Sequence, residues 1–383
     1  MDLVAGRTFA EERRPIRHVD PVLILVTLAL AVIGLFLIYS ATSQTLRQDG
    51  LDPFDRVNKQ VITMILGMVL LLVIATFDYR FFKVYSGFIY GATLVLLLLV
   101  HVPGLSSSVG GTSNYINIPG AALLQISPSE FAKIGLLVIL AAMLSELRGP
   151  VPTVQDLVRI LGVALLTIGL VFINVEIGSV IVLVAITVGM LVVAGTRPRH
   201  LLILATASIL MIFLALQLGV IKDYQRERLL AFLDSSNTSA DARYNLQQSE
   251  IAVGSGGTFG RGYLKGTQTN LDYVPEQHTD FIFTVVGEEF GFVGAMFVLG
   301  LYALLLWRAV RIAYLSKDPF GTYVAVGIAS MFAIQMFVNV GMVIGIMPIT
   351  GIPLPFLSYG GSAMLVNFIA VGMLLSIHMR RFK

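Results

Sequence analysis

Hydrophobic residues run along this chain in long stretches, and polar residues gather in the short gaps between them. Apolar windows bounded by charges or Pro/Gly turns fall near 21–41, 57–76, 81–101, 128–147, 156–174, 177–195, 199–220, 281–306, 321–344 and 361–378. Each is about 20 residues, enough at 1.5 Å per residue to cross about 30 Å of hydrocarbon. The pattern predicts an all-α polytopic membrane protein of ten transmembrane helices. The boundary at Asn174-Val175-Glu176 is the least distinct; it is placed because one helix over 156–195 would be about 60 Å long. Neither the strand-length alternation of a membrane barrel nor a heptad, low-complexity tract or clear internal repeat is present. The chain therefore reads as one transmembrane domain over 1–383, with a single connection, 221–280, far longer than the rest.

Composition agrees and narrows the function classes. Of 383 residues, 56% are hydrophobic and 13% charged, and the mean hydropathy is +0.84; a soluble domain carries about 25% charged residues. The absence of cysteine excludes disulfides and thiolate metal sites. A net charge of +3 is too small to imply nucleic acid, but its distribution orients the chain. With the N-terminus in the cytoplasm, inner connections hold Arg13, Arg14, Arg17, Arg80, Lys83, Arg197 and Arg311 among others, whereas short outer ones hold only Arg47, Arg56 and Lys59. The positive-inside rule then places both termini in the cytoplasm and the 221–280 loop outside.

Ionisable side chains in or beside hydrocarbon cost about 2.5 to 3.5 kcal/mol each, so each needs a partner or a task. In "LDYVPEQHTDFIF", Asp272, Glu276 and Asp280 recur every four residues and would share one face of a helix started by Pro275. Two readings stand: crowded, desolvated carboxylates suited to a general base or a metal ligand, or acids that cap a helix start. His278 lies among them. In "QISPSEFAKIGLL", Ser127-Pro128-Ser129-Glu130 has the order of a capping box. Lys133, one turn inside, either pairs with Glu130 and snorkels outward or offers a cation to an anionic ligand. Glu288 and Glu289 point about 100° apart on a helix, which favours a structural network over a shared site. The stretch "IMPITGIPLPFLSYGGSAML" cannot form a regular helix through its prolines, and Ser358 through Ser362 offers hydroxyls and free amides at a helix start. The glycine-rich "VGSGGTFGRGYLKGTQ" lacks the order of a P-loop and reads as a flexible surface loop whose Arg261 and Lys265 touch lipid phosphates.

The stretches "QISPSEFAK", "QQSEIAVGSGGTFGRGYLKGTQTNLDYVPEQHTDFIFTVVGEEFGFVG" and "NVGMVIGIMPITGIPLPFLSYGGSA", in this order, resemble the SEDS family (shape, elongation, division and sporulation). These multi-span peptidoglycan glycosyltransferases include RodA and FtsW. "GTQTNLDYVPE" and "GIMPITGIPLPF" look more like the RodA branch, which implies cell elongation and rod-shape maintenance. The resemblance implies lipid II as substrate, a β-1,4 bond made with inversion, and release of undecaprenyl pyrophosphate at the outer face of the bacterial cytoplasmic membrane. It puts Asp280 on the family's essential aspartate as general base. It assigns Lys133, Glu130, Ser358, Ser362, Asp272, Glu276 and His278 to substrate binding. A class B penicillin-binding protein is the implied partner, and Mg²⁺ or Mn²⁺ on oxygen ligands is the candidate cofactor. Many members carry arginine before the aromatic of "GGTSNYINI", where this chain has Asn114. A flippase or transporter of lipid II or another amphiphile is the alternative class; a polar cluster at one membrane face rather than at the midplane favours the enzyme.

Overall fold

The computed structural model describes residues 18–100, 102, 106–109, 112–117, 125–149, 151–174, 176–217, 240–271, 273 and 276–381. Each of the ten apolar windows contains a helix. In chain order these are α1 (Pro21–Gln48), α2 (Asp55–Thr76), a short α3 (Arg80–Val84), α4 (Ser86–Leu99), α5 (Pro128–Ser145), α6 (Val154–Ile173), α7 (Ile177–Val193) and α8 (Pro198–Gln217). After α9 (Ala240–Ser255) and α10 (Thr267–Asn270) come α11 (Ile282–Leu315), α12 (Pro319–Val343) and α13 (Gly361–Met379). Seven of the described helices are long and apolar enough to span a membrane, and Ser86–Leu99 and Ile177–Val193 are shorter apolar helices.

Local signals explain the boundaries. Asp20 caps α1 by accepting from the Leu23 N–H at 3.1 Å, with Pro21 at the first helical position. Thr153 and Asp156 form a reciprocal capping box on α6. The box expected at Ser127–Glu130 does not form. The Ser127 N–H that it would engage instead donates to the Ser362 hydroxyl at 2.9 Å, and the Glu130 carboxylate turns to Lys133. The sequence pattern also missed a small antiparallel sheet, β1 (Ser106–Val109), β2 (Thr112–Asn117) and β3 (Gln125–Ile126), in the connection before α5.

The helices sort into an enclosed core and a peripheral ring. In their most apolar windows α13 is 89% buried and α5 78%, whereas α2 and α6 are 28% buried, so α5 and α13 sit inside the bundle. Helices α2 and α13 run side by side in the same direction, with Phe368 against Gly67 and Gly372 against Leu71. Arg380 locks their ends together by donating to the Ala75 and Thr76 carbonyls at 3.2 and 2.6 Å, two of the orphan acceptors that end α2. At the same end of the bundle, Arg308 and Asp20 form a buried ion pair joining α11 to the start of α1.

Helix α11 is broken. Gly291 has φ 62° and ψ −160°, so the Phe292 and Val293 amides no longer reach the Glu288 and Glu289 carbonyls. The glycine-rich segment supplies all four missing partners. Arg261 and Gly262 N–H groups donate to the Glu288 and Glu289 carbonyls at 3.0 and 2.9 Å, and Phe292 and Val293 donate to the Gly257 and Thr258 carbonyls at 2.9 and 3.1 Å. Only glycine fits so close a backbone crossing: at Gly260, φ 80°, an added Cβ would lie 2.1 Å from the Glu289 carbonyl oxygen. The segment expected to be a flexible surface loop is thus stitched into the helix, because broken helical backbone inside a bundle must be re-satisfied. Glu288 and Glu289 complete the seam. Glu288 accepts from the Gln268 and Thr269 amides at 2.8 and 3.0 Å, and Glu289 from the Leu264 amide at 3.1 Å and the Ser40 hydroxyl at 2.5 Å. They serve a structural network, as their angular separation suggested, with the loop and α1 as partners.

Candidate active site

Several segments meet at the end of the bundle where α5, α11 and α13 begin. The turn 276–281 precedes α11 and is not helical. Glu276 has φ 54°, and its carbonyl accepts from both Thr279 and Phe281 amides, at 3.1 and 3.3 Å. The helix therefore starts only at Ile282, and Glu276 and Asp280 do not share a helical face as their spacing suggested. Asp272 and Pro275 lie outside the described residues. Asp280 is half-buried, Glu276 exposed.

The turn is fastened from two sides. The Asn339 side-chain amide, fully buried on α12, donates to the Asp280 carbonyl and to the Ile352 carbonyl, both at 2.7 Å. The Tyr359 N–H donates to the His278 carbonyl at 2.8 Å. Tyr359 is itself set by Gln60 of α2, which donates to the Ser358 carbonyl and accepts from the Gly360 amide, each at 3.2 Å. The Ser358 hydroxyl oxygen accepts from the Leu354 amide at 2.8 Å. Ser358 and Ser362 thus each bond a backbone amide, tying the proline-bearing loop to itself and to the start of α5.

Beside the turn lies a cluster that sequence reading assembled only in part. Lys133 is 1% exposed and donates to Glu130 at 2.5 Å; it does not snorkel, because its ammonium is held inside the bundle. Glu176, between α6 and α7, joins them: it accepts from Ser179 at 3.0 Å and from Ser129, and it feels the charge of both Lys133 and Glu130. Burial raises its pKa above the ordinary carboxylate value, with the serine hydrogen bonds opposing. The Tyr115 phenol on β2 stands in the field of Glu176, Glu130, Asp280 and Glu276. Burial first, then those carboxylates, push its pKa up to about 12, so it remains a neutral hydrogen-bond donor. Glu130, Glu276 and Asp280, the described acids expected from the sequence, therefore all lie within electrostatic reach of that phenol, together with Glu176.

A cation contacts the turn itself. Arg56, at the start of α2, contacts Nε2 of His278, whose ring leans on Tyr359 with centroids 5.6 Å apart. Burial, with the Arg56 charge second, lowers the His278 pKa to about 3. The imidazole is therefore neutral. Lys59, one turn on, pairs with Asp55 at 2.7 Å. Among the described residues no three His, Asp or Glu side chains converge as a metal-binding group.

Arg56, Gln60, Tyr115, Glu176 and Asn339 were not singled out by sequence reading. Glu176 and Asn339 carried a usable signal, each being a polar residue beside or within a long apolar run. Tyr115, Gln60 and Arg56 matter through contacts far apart in the chain.

With this geometry in hand, comparison with known proteins gives consistent matches. The family model for FtsW, RodA and SpoVE cell cycle proteins matches residues 21–383. The chain is 37% identical to a probable peptidoglycan glycosyltransferase FtsW of Trichlorobacter lovleyi, over 95% of each chain. It is 34% identical to the peptidoglycan glycosyltransferase MrdB of Escherichia coli, over 95% of this chain and 94% of that one. Among solved structures, a chain of a peptidoglycan synthase complex that coordinates polymerization and crosslinking superposes with a TM-score of 0.79 at 29% identity, over 95% of this chain and 99% of that one. The rod shape determining protein RodA of Thermus thermophilus superposes with a TM-score of 0.70 at 28% identity, over 95% and 98%.

Proposed function

Because the chain belongs to the FtsW/RodA/SpoVE family of cell cycle proteins, we infer that it is a peptidoglycan glycosyltransferase that polymerises lipid II. The observation that carries the mechanism is that Asp280, on a tethered turn, and Glu130, paired with Lys133, both lie within electrostatic reach of the Tyr115 phenol. A sugar hydroxyl is a poor nucleophile at neutral pH, and a positioned base is worth about 10²- to 10⁴-fold. Asp280 takes the proton of the acceptor's 4-hydroxyl as that oxygen attacks the anomeric carbon of the lipid-linked donor. The bond from that carbon to the pyrophosphate oxygen breaks, its electrons leave with undecaprenyl pyrophosphate, and the configuration inverts. Lys133 and Arg56 supply positive charge for the departing pyrophosphate, and the Tyr115 phenol supplies a neutral donor. Glu130, Glu276, Ser358, Ser362 and, by resemblance, Asp272 shape the site around the substrate.

The charge distribution supports an integral protein of the bacterial inner membrane with both termini in the cytoplasm and this site at the outer face. Two stretches, "GTQTNLDYVPE" and "GIMPITGIPLPF", support a role in elongation; relatives named FtsW and MrdB match at 37% and 34%, which supports the chemistry and does not separate the branches. The superposition on a chain of a synthase complex supports a crosslinking partner of the class B penicillin-binding type. Purified protein given labelled lipid II should form polymer, and Asp280→Asn should not. Lipid scrambling without polymer in both would replace the enzyme by a flippase. Rescue of rod shape but not of septation in depleted cells would support elongation, and the reverse would assign division.

A further inference from the structure

The turn that carries Asp280 has no regular element of its own to hold it in place. Its carbonyls at His278 and Asp280 would be orphaned acceptors at the edge of the bundle, and both are captured by groups from elsewhere in the chain. The Asp280 carbonyl faces that of Ile352, and a group with two donors on one atom can join two facing acceptors. A primary carboxamide has them, and Asn339 spends both, at 2.7 Å each. Asn339 is 0% exposed.

We propose that Asn339 is a positioning residue for the transfer reaction: by bridging the Asp280 and Ile352 carbonyls, it fixes the height of the Asp280 carboxyl relative to the 352–360 loop. The proposal rests on the reading of Asp280 as the base. Two structural features support it beyond the bridge itself. The only other long-range tether of the turn's carbonyls among the described bonds, Tyr359 N–H to His278, ends on the same 352–360 loop, so turn and loop move as one piece. That loop is in turn held to α2 by Gln60 and to α7 by close contact, a Cβ at Gly178 falling 2.8 Å from the Ile352 side chain. The base thus takes its position from α12, α2 and α7 rather than from the helix it precedes. A misplacement of 1 Å can lower a rate by about 10²-fold.

The test uses the full chain with lipid II. Asn339→Leu and Asn339→Asp both lack the paired N–H groups at nearly the original size, so either serves if the other does not fold. Each should lower kcat by at least about tenfold while KM stays within about threefold, as expected for an interaction that acts on the transition state. Asn339→Gln, which keeps both donors, should recover part of that loss. Hydrogen exchange should become faster at amides 279–284 and remain unchanged along the middle of α12. A kcat within about twofold of the parent with unchanged exchange at the turn would overturn the proposal. So would faster exchange throughout α12 with normal activity per folded molecule, which is the signature of a purely structural asparagine. An inactive Asp280→Asn beside a fully active Asn339→Leu would leave the base assignment standing and remove only the clamp. An active Asp280→Asn would instead remove the base assignment.

Discussion

Lys133 offers the sharpest test, because its structural and chemical roles can be separated. Its side chain is 2% exposed, its partner Glu130 is 10% exposed, and Glu176 lies close enough to feel both. Lys133→Met keeps the length of the side chain and removes the charge, leaving two neighbouring carboxylates with no cation. Breaking a buried pair by deleting one partner destabilises by about 3–5 kcal/mol. The lower end applies here, since Glu176 already binds its proton more tightly than a free carboxylate and can relieve part of the repulsion. About 3 kcal/mol corresponds to roughly 4 °C in melting temperature for a chain of 383 residues. Glu130→Gln added to Lys133→Met leaves no orphaned charge in the pair and should return most of that loss. Polymerisation should not return. If Lys133 also stabilises the leaving pyrophosphate, its removal costs about 10²- to 10³-fold in kcat whatever Glu130 becomes. The assays are thermal unfolding in detergent and polymer formation from labelled lipid II, run on the parent, both single variants and the double. A double variant that regains both stability and activity would show Lys133 to be a structural counter-ion and refute its place in the chemistry.

Three further outcomes follow from the same geometry. Asp280→Asn should lower polymerisation by about 10²- to 10⁴-fold with a melting temperature close to the parent's, because the half-buried carboxyl holds no helix end; activity near the parental value would misplace the base. Gly260→Ala forces a Cβ to 2.1 Å from the Glu289 carbonyl at a φ of 80°. It should destabilise by about 3 kcal/mol through left-handed strain and loosened backbone bonds, with faster exchange at residues 257–262 and 288–293; unaltered exchange there would refute the stitched seam. His278 contributes to the pH dependence on the acid side. Its folded pKa of about 3 lies below the ordinary 6.5, so below pH 6.5 the unfolded chain takes up a proton that the folded one refuses. Its contribution is complete above pH 6.5 and shrinks as pH falls toward 3. Arg56→Gln removes the second cause of that depression and should make the acid-side fall in melting temperature shallower; a steeper fall would contradict the assignment.

What was legible in the chain divides along a physical line. A helix that must cross hydrocarbon announces itself locally, since 20 apolar residues in a row have few other uses, and each of the ten windows holds a helix. Asp280 and Lys133 were legible for the same reason, as charges where charge is expensive. Patterns that depend on what a donor or acceptor meets far away were not. The four-residue spacing of Glu276 and Asp280 implied a helix, but the Glu276 carbonyl takes two amides of its own turn and delays the helix to Ile282. Ser127 and Glu130 spelled a capping box, but Ser362 and Lys133 are better partners and come from elsewhere on the bundle or one turn along.

The same line explains how the site is built. Where the chain leaves helical geometry inside an apolar bundle, each freed backbone group needs a partner from another segment. At Gly291 those partners are four amides and carbonyls of the glycine-rich segment; at the Asp280 turn they are the Asn339 carboxamide and the Tyr359 amide. Irregular backbone is what allows Asp280 to stand clear of the helix it precedes. The obligation to satisfy that backbone makes its position depend on α2, α7 and α12 together. Rigidity at the Asp280 carboxyl and close packing of distant helices are therefore one requirement, so substitutions at Asn339 or Gln60 should act on rate before they act on the fold.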